Sequence, residues 1–306
     1  MDEIFIITSD NITLDRADLY LSKIYTEYSR SYFTNAINDN RVLVNGEIIK
    51  PSYKFKIGDE ISIDFLPTEI DDIEGENINL NIIYEDDDIL VINKDKNMVV
   101  HPAPGHTKGT IVNGIINHCK ENLSSINGKI RPGIVHRIDK DTSGVLLICK
   151  NDFSHNFISN QFKDHTIYKK YICITHGNFD QDEFVINKPI GRDKKDRKKM
   201  AIIEGGREAI TEFKVLKQFK KYSILECILK TGRTHQIRVH LSSIHRPIIC
   251  DNIYGTEDKE FKIEGQCLHA VTLGLIHPRT NKYIEFTAPI PEYFQNAINY
   301  LEKKYV

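Results

Sequence analysis

No tryptophan occurs among the 306 residues, and neither sign of charge is in excess: 43 acids stand against 41 lysines and arginines, a formal net charge of −2. That balance excludes nucleic-acid binding by bulk charge, so any such affinity must come from local clusters of Lys and Arg. The six cysteines (119, 149, 173, 227, 250 and 267) form no C-x-x-C pair, and most lie in apolar runs such as VLLICK. A zinc knuckle or disulfide framework is thereby disfavoured, and buried free thiols in a reducing compartment fit better. No apolar run approaches the roughly 20 residues needed to span a bilayer. The opening MDEIFIITSDN carries acids where a signal peptide carries bases. These absences predict a cytoplasmic protein with no membrane partner.

Several chemistries lack their signatures. There is no P-loop, G-x-G-x-x-G or G-x-S-x-G, no H-E-x-x-H, and no H-x-E with P-C-x-x-C; His235 and His240 are five apart rather than four. No cofactor and no metal are expected. The acidic run Glu85–Asp88 could hold a hard cation, but a turn between strands is the better reading.

What is present divides into two parts, as the length suggests. Residues 1–66 form the first, with helical spacing in LDRADLYLSKIY and SRSYFTNAIND, the latter with Ser29 or Ser31 as a cap. Two short β-runs follow, RVLVNGEIIK and DEISIDFL, and Asn45-Gly46 is a tight-turn signal. Residues 67–80 are acidic, poor in aromatics and read as a linker. In 81–306, β-runs such as GVLLICK, KKYICITHG and YSILECILK mix with helical segments such as TIVNGIINHCK, FSHNFISNQFK and THQIRVHLSSI. There is no strict βαβ rhythm, which predicts an α+β fold.

Four constellations could carry chemistry. In Arg131-Pro-Gly-Ile-Val-His136-Arg137-Ile138-Asp139-Lys140-Asp141-Thr142-Ser143-Gly144, charged residues crowd a segment entering a buried strand. Cations flanking Asp139 would hold it ionised, as a nucleophile requires; the competing reading is a surface turn with salt bridges. In Thr231–Leu241, helical spacing separates Arg238 from Arg233. Arg233, in the turn before the helix, could point toward a carboxylate or phosphate; otherwise the segment is an amphipathic helix with a solvated cationic face. Lys169-Lys170-Tyr171 opens a strand where the ring could stack on a base with the lysines near phosphate, or be an ordinary strand tyrosine. Between Lys188 and Lys199 seven cations face two acids, a net +5. That loop suits a nucleic-acid backbone, or is a solvated hairpin.

These segments occur together in the order of a known family. HRIDKDTSG closely resembles the catalytic motif of the RluA/RluD family of RNA pseudouridine synthases. The resemblance extends through NKDKNMVVHPAPGHTKGTIVNGIINH, KKYICITHG, KPIGRD with KKMAIIEGGREAIT, TGRTHQIRVHLSSIHRPIICDNIYG and CLHAVTLGLIHP, over about residues 80–290. Residues 14–65 resemble the ribosomal protein S-four-like RNA-binding domain. Departures from the two patterns include Asn40 for a usual Gly, Ile138 for Leu, and Gly265 where Arg is frequent. Asn tolerates the left-handed backbone such a turn needs.

The resemblance implies a large, mainly antiparallel mixed sheet flanked by helices, in 81–306, beside the small α+β module. It implies isomerisation of uridine to pseudouridine in RNA without a cofactor, by Asp139 acting on an extruded nucleotide. Arg233 would pair with Asp139, Tyr171 would stack on the uracil, and Leu268 would shape the pocket. RNA contacts are expected from Arg16, Arg30, Arg41, Asn45 and Lys50 in the module, from His136 and Arg137 beside Asp139, and from Arg192, Lys194 and Arg197 in the basic loop. Ribosomal RNA of the large subunit is the foremost expected partner, transfer RNA the next, and no obligate protein partner is implied. The alternatives are a non-catalytic RNA-binding or ribosome-assembly factor on the same scaffold, or another Asp-dependent enzyme such as a glycosidase, which needs a second placed carboxylate.

Overall fold

A computed structural model describes residues 2–8, 13–25, 28, 30–65, 73–102, 107–120, 122–128, 131–193, 196, 199–255, 258 and 260–305. The chain forms two compact units, Met1–Asp72 and Ile73–Val306.

In the smaller unit, β1 (Asp2–Ile6), α1 (Ala17–Ile24), α2 (Arg30–Asn38), β2 (Val42–Val44), β3 (Glu47–Ile48) and β4 (Glu60–Asp64) follow one another. The antiparallel sheet has the order β1-β4-β2-β3. Leu21, Phe33 and Ile37 from the helices meet Val42, Ile61 and Ile63 from the strands in one buried cluster. Asn45 and Gly46 turn the chain between β2 and β3, both with positive φ (53° and 78°), as the sequence predicts. Asn40 is left-handed at φ 59°, so it does stand in for glycine there. Of the two cap candidates on α2, Ser29 lies outside the described residues and Ser31 falls inside the helix.

The larger unit contains β5 (Ile82–Glu85), β6 (Ile89–Lys94), α3 (Ile111–Cys119), β7 (Ser143–Cys149), α4 (Asp152–Lys163), β8 (Tyr168–His176), β9 (Glu183–Asn187), β10 (Ile190–Arg192), β11 (Met200–Ile202), β12 (Ile210–Gln218), β13 (Tyr222–Leu229), α5 (Gln236–Ser242), β14 (Leu268–Ile276), β15 (Tyr283–Thr287) and α6 (Glu292–Tyr305). Nine strands make one sheet, in the order β5-β6-β7-β14-β8-β13-β12-β9 with β15 on β14. Among the described residues only β7 and β14 pair in parallel. The α+β architecture is therefore the observed one. β7 is buried along its whole length, which is why SGVLLIC carries no alternation. Its alternate side chains feed two clusters, Leu146 and Ile148 with α3 on one side, Val145 and Leu147 with α4 on the other. β10 and β11 form a separate two-stranded hairpin, and Ile190 of β10 also bridges to Arg207.

The expected linker 67–80 needs correction. Residues 66–72 lie outside the described residues, but 73–80 belong to the larger unit. Ile73 and Leu80 pack on the α3 cluster, and the Glu76 N–H donates to the Asn113 carbonyl at 2.9 Å. Gly114 permits this approach, since a Cβ there would lie 3.1 Å from Leu80. Glu85–Asp88 is a turn: Asp86 Oδ1 accepts the N–H groups of Asp88 and Ile89 and closes β5 onto β6. The C-terminal α6 has no counterpart among the sequence-based expectations, although Phe294, Ala297 and Leu301 bury one helical stripe.

Candidate active site

The segment 136–144 runs over the head of the sheet before entering β7, and it is clamped on several sides. The Thr142 N–H donates to the Asp139 carbonyl, and Thr142 Oγ1 accepts from Gln266 Nε2 at 3.0 Å. Lys94, 1% exposed, donates from Nζ to the carbonyls of Asp95, Met98 and Lys140 at 2.8, 3.0 and 2.9 Å. Burial lowers this amine to about 7 against the pull of Asp141 and Asp139. Gly144, at φ +115°, passes directly against Ala270 of β14, where a Cβ would collide with the Ala270 carbonyl. Gly144 thus lies where the two parallel strands pair.

Asp139 is held by Arg238, not by Arg233. Arg238 Nη1 donates to Asp139 Oδ2 at 2.8 Å. The rest of the same guanidinium is forked onto Asp251, with Nε to Oδ2 at 2.7 Å and Nη2 to Oδ1 at 2.8 Å. Tyr254 lies against its face, 5.0 Å from Cζ. Burial opposes the Arg238 charge, but Asp251 and then Asp139 outweigh it and raise the guanidinium's pKa. Burial likewise works against the Asp251 carboxylate, and Arg238 more than compensates, holding it below the usual range. Side-chain exposure falls from 20% at Asp139 to 4% at Arg238 and 1% at Asp251, so Asp139 is the outlet of a buried charge network.

His235 completes this wall. It adopts a left-handed backbone (φ 57°) at the entry to α5 and brings Nε2 to 3.7 Å from Asp139 Oδ1. The Tyr254 hydroxyl accepts the Met200 N–H at 2.8 Å and meets His235 Nδ1 at 2.8 Å. In the tautomer whose Nδ1 accepts the phenol proton, the imidazole hydrogen sits on Nε2, facing Asp139. Burial lowers the ring's pKa, in keeping with this neutral form. Gln236 locks the preceding turn, its Oε1 accepting from Thr231 Oγ1 and the Arg233 N–H while its Nε2 reaches the Ile210 carbonyl.

Tyr171, Leu268 and Arg233 line the same cleft as Asp139, a cavity of about 530 Å³. Burial, and then the Asp139 charge, hold the Tyr171 phenol well above its ordinary value, so it stays protonated. Leu268 is buried on β14 beside β8. Arg233 lies on the rim and donates from Nε to the Glu208 carbonyl at 2.8 Å. The expected Arg233–Asp139 pair is therefore replaced by Arg238–Asp139. The reason is that α5 is buried on all sides from Gln236 to Leu241 rather than presenting a solvated cationic face.

The residues expected to touch RNA are not equivalent. Arg137 is exposed on the cleft. His136 instead turns inward: Nε2 accepts the Leu147 N–H at 2.9 Å and the ring stacks on Phe162. Burial, with Lys169 nearby, lowers it to about 3. Arg16 and Arg30 are half-exposed and both anchored on the buried Asp18, at 3.1 and 3.0 Å. Arg41 is largely covered, stacked on Tyr32 and paired with Asp39. The Asn45 amide is consumed by Asp59 and the Glu60 N–H in locking its turn, whereas Lys50 is exposed. Arg192 ends β10. Lys194 and Arg197 lie outside the described residues.

Sequence reasoning missed Arg238, Asp251, Tyr254, His235 and Lys94. Arg238 had a signal, a lone cation between Ile237 and Val239. For a possible metal, Glu85, His118 and Cys119 bring donor atoms within 4.8 Å of one another. Lys150 already occupies the Glu85 carboxylate at 2.9 Å. No described helix is long and apolar enough to cross a membrane.

Residues 88–243 match the family model described as RNA pseudouridylate synthase, and residues 15–61 match that of the S4 domain. The chain is 46% identical to the "Uncharacterized RNA pseudouridine synthase YlyB" of Bacillus subtilis over 99% of both chains. It is 40% identical to the "Ribosomal large subunit pseudouridine synthase D" of Zymomonas mobilis over 92% of both. Among solved structures, Human RNA Pseudouridylate Synthase Domain Containing 1 shares the fold at TM-score 0.58 and 24% identity, over 71% of this chain and 86% of that one.

Proposed function

Because the chain belongs to the RNA pseudouridine synthase family, we propose that it isomerises uridines in large-subunit ribosomal RNA, with Asp139 as the group that acts on the nucleotide. The observation that carries this reading is the Arg238–Asp139 pair at 2.8 Å, opening onto a cleft whose other walls hold Tyr171 and Leu268. A cleft of about 530 Å³ falls within the ~300–1,000 Å³ typical of small-ligand sites and suits one extruded nucleoside.

The reaction breaks the C1′–N1 bond, turns the base and joins C1′ to C5; N1 gains a proton and C5 loses one. A carboxylate hydrogen-bonded by a buried guanidinium is held in place with its free oxygen turned to the cleft. Tyr171, protonated, packs against the base and offers a hydroxyl for the late proton transfer. A base in a helix is out of reach, so the uridine must be flipped or already unpaired, at a cost of a few kcal/mol when it is stacked. Arg137, the β10–β11 hairpin and the N-terminal module supply the compensating contacts to RNA. The ribosomal substrate is supported by the relatives whose names specify that RNA.

Pseudouridine mapping of large-subunit ribosomal RNA from cells with and without the protein tests the substrate. Loss of defined sites that purified protein restores on unmodified transcript supports the reading. Unchanged ribosomal RNA with sites lost from transfer RNA rejects it.

A further inference from the structure

We propose that Lys169 and Arg233 form an anion subsite in the cleft, which takes the phosphodiester adjoining the target uridine. The inference rests on the function proposed above and adds a positioning role for two side chains outside the Asp139 network.

Lys169 sits two residues before Tyr171 on β8, so both side chains fall on one face of the strand. It lines the cleft yet is only 7% exposed. Among the described residues its ammonium makes one bond, a long one of 3.4 Å to the Thr231 carbonyl, and no carboxylate there lies within ion-pair distance. Its neighbour Lys170, on the opposite face, pairs with Glu226 at 3.8 Å. Arg233 approaches from the turn before α5. Among the described residues only its Nε is occupied, by the Glu208 carbonyl, and neither Nη group has a partner there. Gly232, next to Arg233 in the chain, lies beside the ammonium: a Cβ there would be 3.7 Å from Lys169 Nζ, which links the two cations in space.

Two neighbouring cations, one of them nine-tenths buried and neither neutralised, are a costly arrangement without an anion between them. The strain is visible in Lys169, which burial and then Arg233 lower to about 8. By contrast, Arg238 in the same cleft has two carboxylates. A phosphodiester supplies the missing charge and presents two acceptor oxygens, one for the ammonium and one for the guanidinium fork. In an RNA substrate the phosphodiester is the anionic group available. With Tyr171 two residues along the same face, a phosphate at Lys169 would fix the nucleotide while the ring packs against its base.

The test uses a short RNA carrying the target uridine, with the flanking linkage either natural or replaced by an uncharged methylphosphonate. Binding and kcat/KM are measured for wild type, Lys169→Met, Lys169→Arg and Lys170→Met. A charge-assisted contact predicts that the neutral linkage on one side costs wild type roughly ten- to a hundredfold in kcat/KM. Lys169→Met should lose part of this on natural RNA and, with Arg233 still in place, be less sensitive than wild type to the neutral linkage. Lys169→Arg should keep its sensitivity, and Lys170→Met should behave as wild type. Equal losses for wild type and Lys169→Met on the neutral linkage would overturn the subsite, as would a Lys169→Met variant with natural binding and turnover. If wild type binds but does not turn over, the proposed function has failed, and the same comparison of affinities still decides the subsite.

Discussion

Asp139 and Asp251 divide one guanidinium between them, and the division is unequal. Arg238 gives Asp251 a two-pronged bond at 2.7 and 2.8 Å and Asp139 a single one at 2.8 Å. The fully buried carboxylate fixes the arginine, and the arginine then aims the partly buried one. This order gives the two acids different jobs: Asp251 supports and Asp139 faces the cleft.

Arg238→Gln should therefore cost both stability and rate. Removing one partner leaves Asp251 as an unpaired buried charge, a loss of about 3–5 kcal/mol. Adding Asp251→Asn should recover much of the stability in denaturant melts but little turnover, because Asp139 would still lack its cation. Arg233→Gln should leave the melt unchanged and act on RNA affinity alone. Equal destabilisation by Arg233→Gln and Arg238→Gln would contradict the assignment.

The buried imidazoles set an acid limit. His136 is lowered to about 3, and His101 and His269 to about 4, in each case first by burial. Below an unfolded value of ~6.5 the unfolded chain binds more protons than the folded one. Stability is thus fully present above about pH 6.5 and is lost as the pH falls toward 4 and below. Urea titrations at pH 7, 6 and 5 should show a falling midpoint, with a shallower fall in His136→Gln. A midpoint that holds or rises toward pH 5 would contradict this account.

Gly144→Ala tests the seam between the parallel strands. The new methyl meets the Ala270 carbonyl and the residue keeps a positive φ, so β7 and β14 must separate beneath Asp139. Among the described glycines, Gly205, also at positive φ, has open space around its Cβ position. Gly205→Ala should cost about 1 kcal/mol, and Gly144→Ala several times more, read as thermal midpoints and soluble yield.

Much of this was legible in the sequence. Asn45-Gly46 announced its turn because only a few residues accept that backbone, and VLLIC announced a buried strand because both faces are covered. Asp139, Tyr171 and Leu268 were picked out by motif order and meet in one cleft. The partner of Asp139 was misread because linear spacing favours the residue nearest the turn. Burial, which selects Arg238, depends on β12, β13 and the segment around Asp251 closing over α5 from distant parts of the chain. His136 went wrong for a related reason: its place in a charged motif suggests a ligand contact, but its ring serves the Leu147 N–H. The start of the larger unit at Ile73 was hidden by acidic composition, although Ile73, Ile78 and Leu80 supply the apolar side that packs on α3.

The most direct measurement is single-turnover pseudouridine formation by wild type and Asp139→Asn on the same RNA, with affinity measured in parallel. The amide keeps the shape and a hydrogen-bond acceptor for Arg238 but removes the charge. Pseudouridine should form with wild type and be undetectable with Asp139→Asn, while the two bind RNA within a few-fold of each other. Product at a comparable rate from Asp139→Asn would contradict the role given to this carboxylate.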